Sequence, residues 1–125
     1  IGLLFVDIND LKLINDQYGH HIGDVVIQSH AQQIRDSLRA SELAARFGGD
    51  EFIVMVLVDN ENELAAVQKR LEATINSHKL DNGITLKASI GKTFALASLD
   101  LDLSTLIAVA DQAMYSNKNK QRLNA

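Results

Sequence analysis

The sequence predicts an α+β domain, and three observations predict it. Short apolar runs alternate with segments of helical periodicity in the order β-α-β-β-α-β-α. The apolar residues of the long segments recur three and four positions apart, which gives helices a single buried face. Turn-forming pairs, Gly48-Gly49 and Asn82-Gly83, separate the strand-like runs. The first six elements match the split βαβ arrangement called ferredoxin-like, a central, mostly antiparallel sheet flanked by helices.

Each element has its own warrant. Leu3-Leu4-Phe5-Val6 is a short apolar run ending at Asp7, and it reads as the first strand. Leu11 and Ile14 predict one or two helical turns, with Gly19 and Gly23 as breaks. Ile27, Ala31, Ile34 and Leu38 predict an amphipathic helix from roughly Asp24 to Arg39. Leu43 to Phe47 is the second strand, and Gly48-Gly49 signals a tight hairpin turn. Phe52 to Val58 is apolar almost throughout, so it is central. Asn60 and Glu63 have the spacing of a capping box, and Leu64, Val67, Leu71 and Ile75 continue that helix. Ile84, Leu86, Ala88 and Ile90 alternate with polar residues, as in a strand with one wet face. Ser104 can cap a last helix, with Leu106 or Ile107, Ala110, Ala113 and Met114 turned inward.

Composition bounds the function. The 125 residues have the size of one domain, 1–125, and 46% hydrophobic content allows one real core. A net charge of -4 argues against a general nucleic-acid binder. There are no cysteines, which excludes disulfides and thiolate metal sites. The longest apolar runs fall far short of the roughly 20 residues of a membrane span. The chain opens on a strand-like run without a methionine, so it reads as an N-terminally truncated fragment of a larger protein.

The predicted topology makes the first and third strands antiparallel neighbours at the centre of the sheet. The end of the first strand then lies beside the start of the third, and Asp7 approaches Asp50 and Glu51. Carboxylates gathered at one sheet edge repel one another unless a cation joins them. Mg²⁺ prefers one or two carboxylates plus waters and substrate phosphates. Gly48 and Gly49, without side chains, leave space for a bulky ligand against the hairpin. A plain glycine hairpin followed by solvated acids is the simpler reading of the turn alone. The arrival of Asp7 at the same edge weighs against it.

Three ordered blocks carry a resemblance. "RFGGDEF", residues 46–52, resembles the signature of the GGDEF family, the bacterial diguanylate cyclases. "DINDLKLINDQYGHHIGD" is similar to that family's first block, and "ADQAMYSNKNKQR" to its closing block. The resemblance implies a nucleotidyl-cyclase palm fold and a reaction that joins two GTP into cyclic di-GMP with release of two pyrophosphates. It implies Mg²⁺ or Mn²⁺ held by Asp7, the Ile8 carbonyl and Asp50, with Asp50 also accepting the proton of the attacking 3′-hydroxyl. Glu51 is a second acid at that site, and Lys12 is implied to stabilise transition-state charge. Asn15 and Asp24 match the guanine-reading positions, and their groups complement guanine's donors and its O6 acceptor. Lys118 and Arg122, four apart on one helix face, match the cations that hold the terminal phosphates. The four histidines, His20, His21, His30 and His78, have no ligand-like spacing and read as structural or exposed.

The sequence also departs from the family. The product-inhibition motif Arg-x-x-Asp reads "RASE" here, Arg39 to Glu42. That implies a degenerate site with weakened feedback by cyclic di-GMP, or else two ordinary exposed charges. Gln121 and Leu123 replace the usual glycine and asparagine of the closing block, and Asn9 and Leu11 replace residues often seen as Asp and Phe. The family's upstream helix segment is absent from these residues, so an uncovered apolar patch is expected. The resemblance further implies a homodimer as the active unit, cytoplasmic placement, no membrane contact by this domain, and fusion to a sensory or EAL-type domain. A catalytically silent module that binds GTP or cyclic di-GMP is the alternative. A palm domain acting on ATP is a third, disfavoured by Asn15 and Asp24.

Overall fold

The structure, a computed structural model, describes residues 1–96 and 102–123, with side chains for all of these but 103, 106 and 120–123. The elements run β1 (Gly2–Ile8), α1 (Leu11–Tyr18), α2 (His20–Ser37), β2 (Leu43–Arg46), β3 (Glu51–Val56), α3 (Glu61–Asn76), β4 (Ala88–Phe94) and α4 (Leu103–Leu123). The four strands form one sheet in the order β2-β3-β1-β4, with every neighbouring pair antiparallel. This is the expected split arrangement, with β1 and β3 at its centre.

The sheet separates two apolar layers. Leu4, Val6, Ile8, Phe52, Val54 and Val56 face α2 and α3, where they meet Val26, Ile34, Leu64, Leu71 and Ile75. Full burial of each such side chain contributes about 1.5–3 kcal/mol. Leu3 and Phe5 face the other way, against Ala110 and Met114 of α4. Gly91 allows that contact, because a Cβ there would lie 2.0 Å from the Ala110 carbonyl oxygen. This close approach sets α4 on β4 and so fixes where Lys118 arrives.

Several boundaries differ from expectation. The second helix starts at His20, not near Asp24. Gly19 is the break, at φ 92°, while Gly23 is a buried residue inside the helix. The final strand is Ala88–Phe94, because Ile84 to Lys87 contribute an isolated bridge, Lys79 to Thr85, and not a ladder on β1. Asp102, not Ser104, caps α4: it accepts from the Ser104 N–H at 3.1 Å and the Thr105 hydroxyl at 2.7 Å. The capping box is as predicted, with Glu63 N–H donating to Asn60 Oδ1 at 2.9 Å. Of the predicted inward residues of α4, Leu106 lies outside the described side chains, and Ala110 and Met114 are fully buried.

The outer face of β2 and β3 is less well covered. Leu43 on β2 is 69% exposed, and Phe47, just past its end, 56%. Among the described residues no helix is long and apolar enough to cross a membrane.

Candidate active site

The acidic site is built by strand register. Leu3, Phe5 and Asp7 alternate towards the α4 side of β1, and Asp7 is the last of the three. Its direct partner across the ladder is Glu51. The Ile8 N–H donates to the Asp50 carbonyl at 2.9 Å, which ties the end of β1 to the start of β3. Asp7 and Asp50, 43 positions apart, therefore meet as the topology predicts.

Asp7 is only 4% exposed. Lys118 Nζ donates to its Oδ2 at 2.8 Å, while its Oδ1 is buried without a hydrogen-bond partner. Burial pushes the Asp7 carboxyl above the usual range, the Lys118 ammonium pulls it down, and the neighbouring Asp50 adds to the rise. The net direction is up. Glu51 is also raised, by burial first and then by the negative charges of Asp7, Asp50 and Asp111. The site thus holds more negative charge than Lys118 compensates.

Gly48-Gly49 lie in the turn as expected, with β2 ending one residue earlier, at Arg46, and β3 starting one residue earlier, at Glu51. Residues 47–50 connect the strands, and neither glycine has a positive φ. The Phe47 and Gly48 N–H groups both donate to the Glu51 carbonyl, at 2.8 and 3.3 Å. Arg46 braces the other side, with Nε to the Gly48 carbonyl at 3.0 Å and Nη2 to the Gly49 carbonyl at 2.7 Å. Phe47 sets its ring edge-on to Phe5 at 5.7 Å. Left-handed backbone is therefore not the reason for the glycines, and the surface at Gly49 is open, since a Cβ there would meet nothing within 4 Å.

Asn15 on α1 packs against α2 at Gly23, the residue before Asp24. A Cβ on Gly23 would lie 1.6 Å from Asn15 Oδ1, so the amide rests directly on the residue before Asp24. Asn15 Oδ1 is buried without a partner, whereas Asp24 is exposed, in the second turn of α2 and not at its start. Lys12 is exposed on α1, three residues before Asn15. Arg122 falls within α4, but its side chain lies outside the described residues, as do those of Gln121 and Leu123.

Glu42 is not an ordinary exposed charge. It is buried, forms an ion pair with Arg70 of α3, and accepts from the Arg39 backbone N–H at 2.8 Å. Burial alone would raise its carboxyl, but Arg70 and Arg39 outweigh burial and hold it below the usual glutamate range. Arg39 itself is exposed. His30 is a satisfied core residue, with Nδ1 2.9 Å from the Val26 carbonyl and Nε2 3.3 Å from the Lys87 carbonyl, and burial lowers its pKa.

Asp111 escaped the sequence reading. It has a buried, unpartnered Oδ1 and acts on Glu51 by charge. Its one signal was its place seven residues, about two helical turns, before Lys118.

The donor set suits a hard divalent cation. Among the described residues no three His, Asp or Glu side chains gather as a closed metal cage. An open shell of one or two carboxylates is what Mg²⁺ takes when water and phosphate complete it. The free, buried Oδ1 of Asp7 beside Asp50 fits that need.

Known proteins bear on this site. The family profile described as "Diguanylate cyclase, GGDEF domain" matches residues 1–124. The chain is 32% identical over 124 residues to diguanylate cyclase DosC of Escherichia coli, covering 98% of this chain and 27% of that protein. It is 34% identical over 125 residues to diguanylate cyclase DgcZ of the same species, covering 96% and 41%. The solved GGDEF domain of PA1120 (YfiN or TpbB) from Pseudomonas aeruginosa superposes with a TM-score of 0.82 at 34% identity, over 95% of this chain and 76% of that one. This chain therefore spans well under half of each of these two curated relatives. With the signature on the hairpin, its acids beside Asp7, and the profile matching nearly every residue, the chain belongs to the diguanylate cyclase GGDEF family.

Proposed function

We propose that this domain is an active diguanylate cyclase that condenses two GTP into cyclic di-GMP. The observation that carries the reading is the buried Asp7 carboxylate with one oxygen unpartnered, set against Asp50 and Glu51. Cyclases of this family use a divalent metal. Bound Mg²⁺ or Mn²⁺ would supply Lewis-acid activation of the attacking oxygen and neutralise phosphate charge. Asp7, the Ile8 carbonyl and Asp50 are the groups that would hold it.

The chain's own residues divide the remaining work. Asn15 Oδ1 accepts from a guanine N–H, and the Asp24 carboxylate accepts from another. The Lys118 ammonium and the Arg122 guanidinium hold the terminal phosphates, and Lys12 faces charge that develops during transfer. Asp50 takes the proton of the 3′-hydroxyl as its oxygen bonds to the α-phosphorus of the second nucleotide. The bond from that phosphorus to pyrophosphate breaks, and two such steps close the ring. Gains of this kind come from positioning and fixed charge.

One domain offers one base-reading pair and one acid cluster, so the active unit is a homodimer with one GTP in each half-site. Sensory or EAL-type domains on the same polypeptide, on the cytoplasmic side, would control that pairing. The test is to supply GTP and Mg²⁺ to a dimerised, full-length protein and assay cyclic di-GMP. Product that disappears with Asp50→Ala supports the enzyme. Tight GTP binding without product would leave the silent regulatory module as the correct reading.

A further inference from the structure

A groove of about 380 Å³ opens between α2 and β2, away from the acid cluster. Its volume is in the range of small-molecule sites. Ile27, Ala31, Ile34 and Leu38 form its helical wall, and Ala44 and Phe52 its sheet wall. The gap has a simple cause. The edge strand presents the small Ala44 where a larger residue would reach α2. From Ile27 to Leu38 the helical wall runs about 16 Å, at roughly 1.5 Å per residue. A straight alkyl chain of medium length lies along such a wall.

The polar side chains of the lining are Gln28 and two cations. Arg35 and Arg46 both line the groove, and among the described residues neither forms an ion pair with a carboxylate. Among the described residues the Arg35 guanidinium makes one hydrogen bond, a solvent-exposed one from Nη1 to Gln32 Oε1 at 3.2 Å. A guanidinium has five donors in a fork that matches a carboxylate. Phe52 is the single aromatic in the lining and is buried in the core, so the groove offers no platform for a nucleobase.

We infer that the groove between α2 and β2 binds a single-chain amphiphilic carboxylate, its chain along Ile27–Leu38 and its head on Arg35 in the field of Arg46. Arg46 also holds the Gly48 and Gly49 carbonyls, so occupancy is felt in the turn that precedes Asp50. Nothing in this inference requires the domain to be catalytic.

Decanoate, held below its micelle concentration, tests it by titration of the ¹⁵N-labelled protein. Saturable one-to-one shifts are expected at Ala31, Ala44, Arg46 and Gly49. Decanol should bind about threefold more weakly, the scale of a partly exposed ion pair. Arg35→Gln should bring decanoate to the decanol level. Ala44→Trp, at an exposed strand position that tolerates an aromatic, should abolish the shifts while the thermal midpoint holds. Ala31→Leu repeats that blockade from the helix side. Absence of saturable shifts in the groove overturns the inference, as does binding that survives both filling variants. Shifts in the groove with GTP, and none with decanoate, overturn it too.

Discussion

Lys118 Nζ donates to Asp7 Oδ2 at 2.8 Å, and that bond joins the end of the first strand to a helix 111 residues later. The two partners are nearly buried, with side-chain exposures of 13% and 6%. The lysine proposed to hold phosphate thus rests on the carboxylate proposed to hold metal. Lys118 on Oδ2 and a metal on Oδ1 would share one carboxylate, so the two cations compete for its charge. Removing one partner of a buried pair strands the other, at a cost of about 3–5 kcal/mol when burial is complete and less at this partial exposure. Lys118→Met should therefore lower the thermal midpoint by several degrees. Mn²⁺ should restore more of it than it adds to the wild type, because the variant's Asp7 has no competing cation. Calorimetric scans with and without Mn²⁺ measure both effects. An equal Mn²⁺ increment in the two proteins would show that Lys118 does not compete.

Asp50 should matter oppositely for activity and stability. It sits among like charges, raising both Asp7 and Glu51. Asp50→Asn removes that repulsion and keeps the volume. The expected result is an unchanged or slightly higher midpoint together with at least a roughly 100-fold loss of cyclic di-GMP synthesis, as for loss of a positioned proton acceptor. A large fall in midpoint would mean that the carboxylate is structural.

How much of this was legible in sequence depends on the physical signal. The sheet order followed from the succession of apolar runs, and so did the meeting of Asp7 with Glu51, because the split topology sets β1 antiparallel beside β3, the end of one against the start of the other. The start of α2 was not legible. Gly23 looks like a break, but a helix tolerates glycine where another side chain fills the space, and Asn15 fills it here. The last strand was misplaced because Ile84 to Ile90 alternate as strands do, yet Ile84 and Leu86 pack from an irregular segment. Glu42 looked like a surface charge since its partner Arg70 is 28 positions away. The burial of the Asp111 Oδ1 appears only when α4 is laid on the sheet, and its spacing from Lys118 alone does not reveal it.

Gly23→Ala isolates base recognition. The new Cβ would strike Asn15 Oδ1 and push the amide out of place. Alanine's better helix propensity, about 1 kcal/mol, offsets part of the strain. GTP affinity should fall about tenfold or more, close to the loss in Asn15→Ala, with only a small change in midpoint. Titration calorimetry with GTP reads the first quantity. If Gly23→Ala binds GTP normally, Asn15 does not contact the base.

The Glu42–Arg70 pair makes a pH-dependent contribution with a definite sign. The folded Glu42 carboxyl titrates below the usual glutamate range, so it binds its proton less readily than in the unfolded chain. Its contribution is fully present above the ordinary glutamate pKa and disappears as pH falls through the folded value. Asp7 and Glu51 act in the other direction, because their raised carboxyls cost stability at neutral pH and relax on protonation. Urea unfolding of wild type and Glu42→Gln should differ by about 1–3 kcal/mol at neutral pH, and the gap should narrow through the acidic carboxylate range. A gap independent of pH would assign the loss to packing.

The same pair bears on feedback. Glu42 is turned into the fold by Arg70 and by the Arg39 N–H, which leaves the exposed Arg39 guanidinium as the one arm of "RASE" that points outward for a ligand. A ligand that needs both arms would first have to separate Glu42 from Arg70. Cyclic di-GMP is therefore expected to bind weakly at this motif and to inhibit little. Glu42→Asp, whose shorter side chain reaches Arg70 less well, should bind the product more tightly than wild type, and Arg39→Ala should remove the remainder. Calorimetry with cyclic di-GMP decides it: tight wild-type binding that is lost in Arg39→Ala would show a working inhibitory site despite the glutamate.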